Sequence, residues 1–208
     1  MIRTTKKHSK YWADRKIDWK TSYFDTWNHP HRDLIAHLLQ SMNWHSLWEV
    51  GIGGGANTLR ILQDNPDKQI GGCDVSQDAI DFLTKTFKGG MFQCEAGDDM
   101  MMSDGSVDVV LSDMCLIYVD PRHIQKYLKE MFRVTRNNII LCEFHSESWW
   151  KRLKARLGGY HVYNYKRELE KAGFYGTIVQ HIPEKYWPGT DNNSQHRAII
   201  IGTKPNTI

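Results

Sequence analysis

The sequence predicts an α/β fold: a Rossmann-like three-layer sandwich built on a seven-stranded, mostly parallel sheet with a C-terminal antiparallel hairpin. Three observations carry this. From residue 46 onward, apolar strand-like runs alternate with helix-like segments. A glycine run, WEVGIGGGANTL (Trp48 to Leu59), sits where the first strand passes into the first helix of that series. The last two strand-like runs have no helix between them. Strands separated by helices imply right-handed crossovers and parallel pairing, whereas two strands joined by a loop alone pair antiparallel.

Taken in order, residues 1–45 precede the sheet and contain a helix from Pro30 to about Met42. SLWEVG is the first strand, followed by a helix from about Ala56 to Gln63. KQIGGCDV is the second, leading to a helix that Ser76 can cap and that runs to about Phe87. MFQCEAG is the third and SVDVVLSD the fourth. Asp120-Pro121 reads as the N-cap and first residue of a helix reaching about Val134. NNIILCEF is the fifth strand, and a helix from about Tyr163 to Ala172 ends at Gly173, a residue suited to a helix C-terminus. YGTIVQHI and HRAIIIGTK form the closing hairpin, across a loop holding Pro183, Pro188 and GTDNN.

The 208 residues suit one domain with a sizeable core, and 40% hydrophobic with 25% charged residues is ordinary globular composition. No apolar run reaches the ~18 residues a membrane span needs, and MIRTTKKHSKYW has no apolar core of a secretory signal. Cys73, Cys94, Cys115 and Cys142 are widely spaced in or beside strands, where a thiol packs as a small core residue. The chain therefore reads as cytoplasmic, with reduced cysteines and no membrane association. Its net charge of +3 is uneven: residues 1–20 carry Arg3, Lys6, Lys7, Lys10, Arg15, Lys16 and Lys20 against Asp14 and Asp18. A second basic cluster comprises Lys151, Arg152, Lys154 and Arg156. Such clusters can attract phosphates or carboxylates, and otherwise form solvated helix faces.

A strand, a glycine-rich turn and a helix N-terminus make a cofactor site at the C-terminal ends of parallel strands. The glycines fit two fingerprints, Gly51-x-Gly53-x-x-Ala56 for a dinucleotide and Glu49-x-Gly51-x-Gly53-x-Gly55 for a cofactor carrying an amino group. Their neighbours separate the two. Glu49, an acid inside the first strand, is unhelpful beside a pyrophosphate and useful beside a cation. Asp74, ending the second strand, can accept hydrogen bonds from ribose hydroxyls under either reading.

These residues resemble the class I S-adenosylmethionine (SAM)-dependent methyltransferases of the broad small-molecule type. Glu49 to Gly55 is similar to the first motif of that family, and GCDVSQDAI to its second, with Asp74 as the ribose acid. GDDMMMSDGSVDVVLSDMCLIYV resembles the family's next segment, with Asp98 at the adenine position. MFRVTRNNIIL departs from the family's R-V-L-K-P-G-G, since Arg136-Asn137-Asn138 replaces the Pro-Gly-Gly turn. The resemblance runs from about residue 46 to the C-terminus. It implies a SAM cofactor, no metal, and cofactor contacts from Glu49, Gly51, Gly53, Gly55, Asn57, Asp74, Val75, Asp98, Asp99 and Ser112. It also implies that residues 1–45 form a lid over a methyltransferase domain of residues 46–208.

Methyl transfer from a sulfonium needs alignment and shielding from water, and a base only when the acceptor must lose a proton. The expected acceptor is an O or N atom of a small molecule. Ser112-Asp113-Met114-Cys115 stands where enzymes acting on the amino groups of bases carry [N/D]-P-P-[Y/F]. Cys115 follows Met114, not the Pro of a cytosine-C5 nucleophile, and reads as a packed thiol. His145, beside Glu143, is the candidate base, with Tyr118 and His123 behind it. The HPH at His29 to His31 reads as a helix start, since no nearby Cys or acid set completes a metal-ligand group. Tyr11, Trp12, Trp19, Tyr23, Phe24 and Trp27 crowd the segment before the sheet, where aromatic faces can shield a methyl group and favour a sulfonium. Trp149 and Trp150 are expected on the opposite wall of the acceptor pocket. The competing functions are an RNA or protein methyltransferase guided by the basic clusters, and a SAM-binding subunit without catalysis. A net charge of +3 with no separate recognition domain disfavours nucleic acid.

Overall fold

A computed structural model describes residues 5–157, 159–188 and 194–205. Arg3 and the GTDNN segment lie outside the described residues. Three helices precede the sheet: α1 (Thr5–Asp14), α2 (Trp19–Ser22) and α3 (Pro30–Gln40). The alternating part follows as β1 (Ser46–Val50), α4 (Ala56–Asp64), β2 (Gln69–Asp74), α5 (Gln77–Thr86), β3 (Phe92–Cys94) and β4 (Val107–Asp113). It continues through α6 (Ile124–Val134), β5 (Thr135–Phe144), α7 (Trp149–Leu157), α8 (Tyr165–Ala172), β6 (Tyr175–His181) and β7 (Arg197–Thr203). Strand order is β3-β2-β1-β4-β5-β7-β6. The first five strands pair in parallel, and β7 runs antiparallel to both β5 and β6. This is the expected fold class.

The central strands read as solid apolar runs because both faces of the sheet are covered. Trp48, Val50, Val110, Ile139 and Leu141 pack with Leu128 and Met131 of α6 and Leu169 of α8. The alternate residues Leu47, Val109, Leu111, Ile140 and Cys142 pack with Ile35 and Leu39 of α3 and Ile61 of α4. Helix α6 buries Ile124, Tyr127, Leu128, Met131 and Val134, the i, i+3, i+4, i+7 stripe of an amphipathic helix. Ser76 caps α5 by accepting from the Ala79 N–H, and Gly173 ends α8 at φ +110°.

Helix α6 corrects the sequence reading. It begins at Ile124, behind a turn in which the Asp120 carbonyl accepts from His123 and Ile124 and its carboxylate holds Arg122. A side chain that satisfies its neighbours in a turn can start a helix late without leaving donors unpaired. The third strand is also shorter than expected, with three residues at the sheet edge.

Candidate functional site

A cavity of about 300 Å³ opens at the C-terminal ends of β1, β2 and β4. That is within the size range of small-ligand sites, roughly 300–1,000 Å³. Its floor is the glycine loop. Gly51, Gly53 and Gly55 all have positive φ, at +75°, +54° and +75°. A Cβ at Gly51 would run into the Cys115 thiol, so the loop can lie against the turn after β4 only with glycine there. Gly54 answers to a different neighbour: a Cβ there would come within 2.8 Å of the Trp19 carbonyl oxygen and 2.9 Å of Tyr23 Cβ. The glycine run therefore serves both the cavity and the N-terminal segment seated on it.

At one end of the cavity the Asp74 carboxylate accepts from the backbone N–H groups of Gly53 (3.0 Å) and Ser76 (2.9 Å). Burial pushes its pKa up, against the lowering effect of these donors. Val75, Glu95 and Gly97 line the same end.

The other end is a buried polar network. Asn57 donates to Glu49 Oε1 at 2.7 Å and to Asp113 Oδ2 at 3.0 Å. His31 Nε2 lies 2.9 Å from Asp113 Oδ2 and 2.8 Å from Arg32 Nη1. A carboxylate only accepts and a guanidinium only donates, so this nitrogen can satisfy one of them at a time. Burial pushes the Glu49 carboxyl up to about 8. Burial acts the same way on Asp113, but His31 and Arg32 outweigh it and hold that carboxyl well below the usual range. Glu49 Oε2, Asn57 Oδ1 and Asp113 Oδ1 are buried without a hydrogen-bond partner. Three acceptor oxygens left unpaired among neighbouring buried residues carry a desolvation cost, which marks this end as one suited to a cationic partner.

Trp12, Trp19 and Tyr23 from the N-terminal segment, with Tyr118 and Trp187, complete the walls. Trp187 stacks on the His31 ring, centroids 4.0 Å apart, and carries Arg197 on another contact at 4.8 Å. Beyond β4, Met114 takes φ +54°, the sole non-glycine residue with positive φ among the described residues. That conformation costs on the order of 1–3 kcal/mol and is held by its surroundings. Glu143 is the anchor: its Oε1 accepts from Ser112 Oγ (2.8 Å) and from the N–H groups of Cys115 and Leu116 (both 2.9 Å).

The sequence-predicted residues divide accordingly. Glu49, Gly51, Gly53, Asn57, Asp74, Val75, Trp12, Trp19 and Tyr118 line the cavity. Gly55 lies beneath the loop, where a Cβ would meet Leu83 and Phe87. Asp98 is drawn to Lys126 at 3.2 Å, and Asp99 donates its N–H to the Ala96 carbonyl; neither is among the lining residues. Ser112 points to Glu143, on the opposite side of β4 from Asp113. Tyr11 is exposed at the edge of Trp12.

Two of the expected sites lie away from the cavity. His145 is buried away from the cavity, where Nδ1 accepts from the Tyr165 N–H at 3.2 Å. Burial lowers its pKa to about 4, which leaves a neutral ring that orders the start of α8. Trp149 and Trp150 are exposed and stacked on each other, away from the cavity wall. HPH is the start of α3 as expected, with His29 as its N-cap and Pro30 in its first turn, but Asp113 and Cys142, remote in sequence, come together with His31, their potential ligand atoms all within 4.8 Å of one another. Arg32 already places a cation beside that group, 3.7 Å from Asp113. Cys115 packs its thiol against Gly51, its pKa pushed well up by burial, and it also lines the cavity.

Sequence reasoning missed His31, Arg32, Asp113, Glu95 and Trp187 as cavity residues. One signal was available for Asp113: on a strand the side chain one residue beyond Ser112 faces the other side, the side Glu49 occupies.

A doubly wound sheet, a glycine loop after β1 and an acid ending β2 define a class I methyltransferase fold. Residues 48–138 match the methyltransferase domain family. A methyltransferase-like protein of Schizosaccharomyces pombe is 35% identical over 92 residues, which are 43% of this chain and 34% of that protein. The chain thus spans about a third of that relative's length. Among solved structures, a chain of the complex between the Haloferax volcanii Trm112 methyltransferase activator and a methyltransferase superposes with a TM-score of 0.66 at 18% identity. It covers 99% of this chain and 100% of its own. The 1,6-didemethyltoxoflavin-N1-methyltransferase of Burkholderia thailandensis, with bound 1,6-didemethyltoxoflavin and S-adenosylhomocysteine, gives a TM-score of 0.66 at 14% identity, covering 97% of this chain and 87% of its own. The chain thus has the class I methyltransferase fold, and its residues 48–138 match the methyltransferase domain family.

Proposed function

We propose that the protein is a SAM-dependent methyltransferase acting on an O or N atom of a small molecule. The observation that carries this reading is the polarity of the cavity. A carboxylate held by two backbone donors stands at the ribose end, and Asn57 joins the acids Glu49 and Asp113 at the end where an ammonium belongs. A pyrophosphate cofactor would set its own charge against the Asp113 carboxylate and offer no cation to the acceptors around it. When bound, SAM supplies an activated methyl group on a sulfonium, open to in-line displacement.

The protein's own residues orient and shield. Asp74 accepts from ribose hydroxyls, while Glu49, Asn57 and Asp113 receive the ammonium. Gly51 and Gly53 let the ligand approach the backbone. Helices α1 and α2 act as the lid, with Trp12, Trp19 and Tyr23 excluding water above the loop, while α3 belongs to the packed face of the sheet. The acceptor enters between Tyr118, His31, Arg32 and Trp187, where aromatic faces and a guanidinium favour a planar molecule bearing negative or acceptor groups. His31 is a positioning residue that holds Asp113 and Trp187, and no role in the cavity falls to His145.

Titration calorimetry with SAM, with NAD as control, is expected to give saturable heat with SAM alone, and incubation with labelled SAM and pooled metabolites to label a small molecule. Heat with NAD and none with SAM overturns the cofactor. Label carried only by RNA or protein overturns the acceptor class, and SAM binding without transfer to any pool favours a non-catalytic subunit.

A further inference from the structure

Helix α7 stands outside the cavity and inverts the usual burial of a surface helix. Its sequence, WWKRLKARL, sets Trp149, Leu153 and Leu157 one turn apart, with Trp150 three residues before Leu153 on the same side. All four are exposed: Trp149 56%, Trp150 64%, Leu153 46% and Leu157 79%. The buried residue is the small Ala155, on the far side, which packs with Ile117, Phe144 and Val162. An amphipathic helix on a globular domain ordinarily turns its apolar stripe inward. Here the stripe faces out, and its two indoles stack at 3.7 Å.

Charge flanks the stripe. Lys151 and Lys154 are exposed and Arg156 is half-buried, and the helix contains no acid. Arg152 is committed elsewhere, donating to the Ser146 and Glu147 carbonyls, and so fixes the helix start to the domain.

We propose that α7 is an interfacial helix that docks the protein on an anionic lipid surface. Trp149, Trp150, Leu153 and Leu157 would lie at the headgroup–acyl boundary, with Lys154 at the edge of the stripe and the exposed Lys151 beyond it reaching the lipid phosphates, while Arg156 keeps its guanidinium partly inside the domain. An apolar arc edged by cations is complementary to such a surface. Leu153 and Leu157 have no ring face for a nucleic-acid base, which favours hydrocarbon. A second copy would bring like-charged helices together. The absence of a long apolar helix among the described residues concerns spanning and leaves such peripheral docking open. The cluster under Ala155 also contains Met114 and Tyr118, which line the cavity, so docking would set the lipid surface beside the acceptor end. The proposal is independent of the cofactor, because docking is measured without SAM.

The full-length chain is tested by sedimentation with vesicles of phosphatidylcholine alone or mixed with phosphatidylglycerol. Binding is expected with the anionic vesicles only and weakens with salt. The double variants Trp149→Ala/Trp150→Ala and Lys151→Glu/Lys154→Glu should each lose about tenfold or more in partitioning, with unchanged circular dichroism. No binding to anionic vesicles overturns the proposal, as does equal binding to neutral ones. Oligonucleotide binding lost in the same variants, without vesicle binding, assigns the face to nucleic acid instead. A dimer that both variants dissolve assigns it to a second copy.

Discussion

His31 and His145 are both buried histidines, and each has an acid nearby in the sequence or in space, yet they do opposite things. His145 follows β5, two residues from Glu143, and its ring is spent on a backbone N–H and on packing near His181. His31 is in the first turn of α3, remote in sequence from any strand, and reaches Asp113 at the end of β4 while its ring face carries Trp187. Proximity along the chain to an acid told nothing about function. What decides it is the sheet face from which the acid projects and which helix packs there.

The most forceful way to break this comparison is His31→Ala. It removes the partner that orients Asp113 and the ring that supports Trp187. Misplacement of that order typically costs about 100-fold in turnover, and that loss is expected in the labelled-SAM assay, while denaturant unfolding of the same variant separates catalysis from stability. Turnover close to that of the native protein would show that His31 merely fills space.

The two halves of the cavity were unequally legible. The glycine loop and Asp74 could be read because their geometry is local: a turn and a strand end, set by residues within one βαβ unit. The sheet was legible for a similar reason, since runs such as VDVVLSD and NNIILCEF carry their double burial in their composition. The other end of the cavity draws on residues 31–32, 113 and 187, which meet only once α3 and the loop after β6 have packed. Ser112 and Asp113 are neighbours, yet only Asp113 lines the cavity, because on a strand one residue reverses the face. Trp149 was misplaced because bulk and aromaticity do not say whether a stripe turns in or out; Ala155 does, since the small residue marks the side on which α7 can approach the domain.

A smaller effect sharpens the reading of the network around His31. Glu49 is pushed up to about 8, mainly by burial. A carboxyl raised in this way keeps a proton that the unfolded chain has already lost, so its effect on stability becomes less favourable as pH climbs from the ordinary glutamate value to about 8. An ammonium bound beside it favours the carboxylate and expels that proton. SAM affinity should therefore rise by up to about tenfold from pH 6 to pH 7, as the ionised fraction grows. Calorimetry in two buffers of different ionisation heat should register proton release at pH 7, and Glu49→Gln should abolish both signals. Binding of the native protein without proton release would place the ammonium elsewhere.

The smallest expected effect completes the contrast. His145→Gln keeps a side chain able to accept from Tyr165, and the ring it replaces is neutral at pH 7, its pKa lowered to about 4 by burial. No charge is lost, the cavity is untouched, and the damage is confined to packing among His181, Tyr163 and the start of α8. Turnover and SAM affinity should stay within about twofold, while unfolding shows a loss of roughly 1 kcal/mol, the scale of one imperfectly replaced buried hydrogen bond. The pair of substitutions is thus a test with two arms. If His145→Gln removes activity and His31→Ala spares it, the chemistry lies beyond β5, and the cavity described above is not where the methyl acceptor sits.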